Sequence, residues 1–207
     1  MPRQRLVDSV NFIPENKGAG PIVERYVPPG MTAESAPILY KTSGYLGFCD
    51  QVNGNRRKYP RSVWEKNLAV DSVLVKELAR RRTIGLLEHP GDNESVSLRS
   101  PISHIVTDVR LNEDGSITGD LIFLNTEEGK KMRALMEAGF QPTVSSRGFG
   151  TLRRGVDGID IVEDDYVCES WDVVLTPSFS DAVQKLVGES VAAPQQPPAR
   201  VIETSNQ

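Results

Sequence analysis

The sequence predicts an α+β fold built on a mainly antiparallel β-sheet or barrel with helices packed around it. Segments that read as strands outnumber those that read as helices, and two long ones flank an Asn112-Glu113-Asp114-Gly115 turn. Hairpin spacing of this kind favours antiparallel pairing over a repeated strand–helix–strand unit. No internal repeat is visible.

Residues 1–36 mix Pro, Gly, Asn and charge without sustained periodicity and are expected to form a flexible N-terminal segment. The folded domain is expected over residues 37–188, followed by a flexible Pro/Gln-rich tail at 189–207. Residues 38–48 read as a strand interrupted by glycines, and residues 60–82 as two short helices hinged near Asp71. The Ile84-Gly85-Leu86-Leu87-Glu88 run is a short buried strand. It delivers His89 to a turn, because the residue before Pro90 is pushed out of the helical region.

Residues 102–111 and 117–124 are the arms of the hairpin, with Gly115 suited to the positive φ that such turns need. Asn125 with Glu128 resembles a capping box opening a helix that carries Met132, Leu135 and Met136 on one face and stops at Gly139. Strands follow near 142–150, 158–162 and 170–176. A last helix capped by Ser178 or Ser180 is expected to run to about Leu186.

The 207 residues can bury one good core, which fits one catalytic domain with tails. A net charge of −4 supplies no broad basic field, so direct nucleic-acid binding is not expected. Cys49 and Cys168 lie far apart in a chain whose Met-Pro-Arg-Gln-Arg start lacks an apolar export core, and both are expected to be reduced, partly buried thiols. No apolar run approaches the roughly 20 residues that span a bilayer, so no membrane association is expected.

Histidine is scarce: only His89 and His104 exist. His89 stands on a turn at the end of an apolar strand, where a rigid scaffold presents functional side chains. His104 sits inside an alternating strand and reads as a rung of the sheet, kept in reserve as a partner for His89. Val144-Ser145-Ser146-Arg147-Gly148-Phe149-Gly150 joins two candidate nucleophiles to two glycines that let a substrate approach the backbone. A serine hydroxyl needs a base to take its proton, and the imidazole needs a carboxylate to hold its tautomer. Asp172, embedded in the apolar Ser170–Pro177 stretch, is the first choice, since a carboxylate there is costly unless paired; Glu169 and Asp165 are alternatives.

The order His, Ser, acid matches none of the chymotrypsin, subtilisin or α/β-hydrolase arrangements, and no Gly-x-Ser-x-Gly elbow is present. Phosphate-binding loops, dinucleotide fingerprints, His-Glu-x-x-His and paired Cys-x-x-Cys are missing too, so no cofactor or metal is expected.

Taken together, the motifs resemble those of the prohead core (capsid maturation) serine proteases of tailed phages. Gly47 through Pro60 with Val63-Trp64-Glu65 resembles the early asparagine/arginine/tyrosine-proline motif of that family, and Gly85 through Pro90 its histidine motif. Val144 through Gly148 resembles its serine motif and Trp171 through Ser178 its acidic strand. The resemblance implies the herpesvirus assembly-protease fold, a largely antiparallel β-barrel surrounded by helices. It also implies a catalytic set of His89, Ser146 and Asp172. Ser146 is preferred over Ser145 because the family's nucleophile stands two residues before a glycine, as Ser146 does before Gly148. Backbone N–H groups of Arg147 and Gly148 are the expected oxyanion donors.

What the resemblance implies for function is a serine endopeptidase that cuts scaffold and major capsid proteins, and itself, inside the assembling prohead in the host cytoplasm. Glu189 and Glu203 are expected self-processing positions, and a homo-oligomer is expected. The competing expectation is a scaffold or minor capsid protein that kept the fold without the chemistry.

Overall fold

The computed structural model describes residues 4–10, 30–32, 35–91, 94–176 and 184–186. In chain order its strands are β1 (Gln4–Val10), β2 (Ile38–Phe48), β3 (Arg57–Lys58), β4 (Ile84–Leu86), β5 (Ile102–Leu111), β6 (Ser116–Leu124), β7 (Thr143–Gly150), β8 (Leu152–Arg154), β9 (Asp160–Val162), β10 (Val167–Val174) and β11 (Gln184–Leu186). The helices are α1 (Arg61–Asn67), α2 (Val73–Ala79) and α3 (Glu127–Glu137).

The β5–β6 hairpin forms as its turn residues dictate. Gly115 takes φ +85°, Gly115 N–H donates to Asn112 O at 3.1 Å, and Asp114 Oδ1 accepts from Ser116 N–H at 2.9 Å. The arms then extend into a five-stranded sheet of order β11-β2-β6-β5-β4. A second sheet, β1-β7-β10, has β7 at its centre, and a small third sheet joins β3, β9 and β8.

Backbone hydrogen bonding links the two larger sheets where the end of β4 meets β10. Leu87 bridges Val173 in parallel, and Glu88 N–H donates to Val173 O at 2.7 Å. The expected α+β class, dominated by antiparallel strands, therefore holds. The expected barrel does not close: strands run from β1 through β10 across that link to β11, and no hydrogen bond among the described residues joins β1 to β11.

An aromatic cluster welds α1 to the sheets. Trp64 of α1 stacks on Trp171 of β10 with ring centroids 5.8 Å apart, and Tyr59 meets Tyr166 edge to face at 5.2 Å. Such pairs contribute about 1 kcal/mol each beyond area burial. Asn67, at the end of α1, receives Cys168 N–H on its side-chain oxygen at 2.8 Å and donates to Tyr166 O at 3.0 Å, which fixes where β10 begins. Cys49 and Cys168 are both buried, free thiols.

Other expectations need correction. Residues 4–10, read as part of a flexible segment, form β1, whose backbone pairs with residues 144–150 of the central strand β7. The cap of α3 is Thr126, not Asn125: Thr126 Oγ1 accepts Gly129 N–H at 3.1 Å, while the Asn125 side chain turns away to Ala36 O at 3.0 Å. Met132 and Met136 of that helix are buried, whereas Leu135 is 40% exposed. The expected caps Ser178 and Ser180 lie outside the described residues, as does the 189–207 tail, and residues 184–186 pair with β2 as a strand rather than ending a helix. No helix among the described residues is long and apolar enough to cross a membrane.

Candidate active site

Strand alternation sets the two serines on opposite faces of β7. Ser145 on β7 stands across from Asp172 on β10, so both side chains project from the same face; Ser146 stands across from Trp171 and shares the indole's face. His89 reaches over the first of these faces from the turn after β4. Its Nε2 lies 2.6 Å from Ser145 Oγ and its Nδ1 lies 2.8 Å from Asp172 Oδ2.

The tautomer follows from the acceptor. Burial alone would raise the Asp172 carboxyl, but the hydrogen bond from His89 and the Arg147 guanidinium outweigh it, and the net shift is below the usual carboxylate range. An ionised carboxylate only accepts, so His89 Nδ1 carries the proton and Nε2 is left to accept from the Ser145 hydroxyl. This is the arrangement that lets a serine lose its proton as it attacks a carbonyl.

Asp172 has no exposed surface, and both its oxygens are occupied. Oδ1 accepts Leu86 N–H at 2.9 Å and Arg147 Nη2 at 3.4 Å; Oδ2 accepts Arg147 Nε at 2.8 Å besides the histidine. The guanidinium, 4% exposed, also donates from Nη1 to Glu169 Oε2 at 2.9 Å and from Nη2 to Ile84 O at 3.3 Å. Burial opposes its charge, but the Asp172 and Glu169 carboxylates prevail and hold it more firmly protonated than usual.

The structure thus brings His89 and Asp172 together with Ser145 and not with Ser146, the serine preferred from the motif. Counting residues to Gly148 picked one face of β7 without the pairing register that sets Asp172 opposite Ser145. Arg147 and Gly148, the expected oxyanion donors, are residues of the central strand itself. Both lie mid-strand, opposite Val7 and Leu6 on one side and Ser170 and Cys168 on the other.

His104 does not touch His89. Its Nε2–H donates to Trp171 O at 3.1 Å and its Nδ1 accepts from Ser103 Oγ–H at 2.8 Å. Burial, only partly offset by Asp172, pushes its pKa down to about 4 and keeps it neutral. Of the alternative acids, Glu169 contacts Arg147, and Asp165 accepts the Thr151 N–H at 2.9 Å, away from the histidine. The Arg147 side chain is the feature that sequence reading missed. The available signal was an arginine two residues from a candidate serine, and hence on its face of the strand, facing a strand that carries an embedded aspartate.

On this α+β scaffold a serine, a histidine and a buried aspartate stand in one hydrogen-bonded line, the arrangement that serine hydrolases use. The comparison with known families agrees: residues 11–192 match the prohead core protein serine protease family, and the chain belongs to it. The prohead core protein protease of Enterobacteria phage T4 is 27% identical over 177 residues, covering 78% of this chain and 81% of that protein. The solved structure of the bacteriophage T4 capsid assembly protease superposes with a TM-score of 0.66 at 24% identity, covering 86% of this chain and all of the other, and so shares the fold. The chain is therefore a peptidase of prohead maturation.

Proposed function

We propose that this chain is a serine endopeptidase in which Ser145 is the nucleophile, His89 the general base and acid, and Asp172 the group that orients and balances His89. The observation that carries the reading is the continuous line from Ser145 Oγ to His89 Nε2 at 2.6 Å and from His89 Nδ1 to Asp172 Oδ2 at 2.8 Å. Ser145 Oγ bonds to the scissile carbonyl carbon as its proton passes to His89 Nε2. The C–N bond then breaks, and His89 returns that proton to the leaving amine. Water, deprotonated by His89, releases the acyl group from Ser145.

The substrates are the scaffold and major capsid proteins of the assembling prohead, and the chain itself. Family membership supports this, as does the relative's designation as a prohead core protein protease. The enzyme acts within the prohead in the host cytoplasm, as a homo-oligomer. Co-expression with the neighbouring scaffold and capsid proteins, followed by mass spectrometry of the products, tests the assignment. Wild type should give defined fragments and Ser145→Ala none; fragments that persist in Ser145→Ala would overturn it.

A further inference from the structure

Arg147 is buried beside the reacting groups without touching the serine, and its contacts are more specific than charge balance requires. Its Nε and Nη2 address both oxygens of Asp172, at 2.8 and 3.4 Å, while Nη1 and Nη2 are pinned by Glu169 Oε2 at 2.9 Å and Ile84 O at 3.3 Å. We propose that Arg147 is a positioning residue of the peptidase reaction: its fork fixes the plane of the Asp172 carboxylate, and through it the orientation and tautomer of His89. This rests on the reading of Ser145, His89 and Asp172 as the catalytic line.

Three features carry the inference. The Leu86 N–H and the His89 N–H each hold one Asp172 oxygen, and the guanidinium adds a second donor to each, which narrows rotation about the Cβ–Cγ bond. Ser145 and Arg147 lie two apart on β7, so one regular strand sets the nucleophile and the positioning group on the same face. Finally, the register between β7 and β10 shifts between Cys168 and Ser170, which makes Glu169 the extra residue of a β-bulge. Bulges re-aim side chains, and this one brings the Glu169 carboxylate onto the outer end of the guanidinium. Glu169 is 38% exposed, so the line from Ser145 through His89, Asp172 and Arg147 ends at the surface.

The test uses the full chain with ¹⁵N-labelled histidine. Only His89 and His104 report, and they have opposite tautomers, which makes His104 an internal check on the fold. Wild type, Arg147→Lys and Glu169→Gln are compared for the His89 Nδ1–H signal and for the labelling rate of Ser145 by a fluorophosphonate. Lysine keeps the charge but loses the fork. Arg147→Lys should lose or shift the His89 signal, leave His104 unchanged and slow labelling about 100-fold, the scale expected for a small misplacement of reacting groups. Glu169→Gln should do the same to a smaller degree.

Wild-type labelling at some serine other than Ser145 would sink the underlying catalytic reading. With Ser145 labelled in wild type, unchanged labelling in Arg147→Lys would overturn the positioning role alone. Slower labelling with an unchanged His89 signal would overturn it as well. If Arg147→Lys also loses the His104 signal, Glu169→Gln decides, and unchanged labelling and His89 signal there overturn the inference.

Discussion

Ser145 and Asp172 face each other across β7 and β10, and the turn that carries His89 is anchored to the same strand as the aspartate through Glu88 N–H and Val173 O. His89, Asp172 and Ser145 are thus referenced to one pair of hydrogen-bonded strands. Distances set this way change little unless the strands themselves move.

The first prediction concerns acid stability. His104 is neutral when folded, with its pKa lowered from 6.5 to about 4 by burial, whereas the unfolded chain takes up a proton near 6.5. Because the unfolded state binds more protons between those values, this stability is complete above pH 6.5 and is lost as pH falls toward 4, by about 3 kcal/mol in all. Urea unfolding at several pH values should show this slope in wild type and a flatter one in His104→Gln. Equal slopes would assign the acid sensitivity to other groups.

Gly85 is the second test. A Cβ built there would lie 2.0 Å from His104 Nε2 and 2.5 Å from Trp171 O, so neither side chain nor backbone has room to yield. Gly85→Ala should destabilise the fold by about 3 kcal/mol or more, read as a lowered thermal midpoint. An unshifted midpoint would mean that β4 can move away from β10 without cost.

A third prediction follows from β1. Ser145 has no exposed surface, and β1 runs antiparallel along its strand with Ser9 opposite Ser145. An extended substrate can add to that edge of β7 by strand pairing only after β1 leaves it. Removing residues 1–10 should speed cleavage of an added peptide, measured as initial rate. A rate unchanged or lowered by the deletion would show that β1 does not restrict access.

Much of this architecture was legible in the sequence. The hairpin was readable because Asn112 through Gly115 specify a turn by local chemistry, and the helices at 61–67 and 73–79 because their apolar spacing is local as well. Strand β1 was not, since its place depends on β7, more than a hundred residues away, and not on its own periodicity. Strands β3 and β8 are too short to carry a pattern. At the site, His89 and Asp172 were readable from the turn before Pro90 and from a carboxylate in an apolar strand. The choice between Ser145 and Ser146 was not, because it depends on the β7–β10 register that sets Asp172 opposite Ser145. The Arg147 side chain was hidden for the same reason.

The central claim is that Ser145 is the nucleophile. Fluorophosphonate labelling of the full chain, followed by peptide mapping of the adduct, tests it most directly. The adduct should lie on Ser145, vanish in Ser145→Ala and in His89→Ala, and persist in Ser146→Ala. An adduct on Ser146, or labelling that survives in Ser145→Ala, would contradict the account.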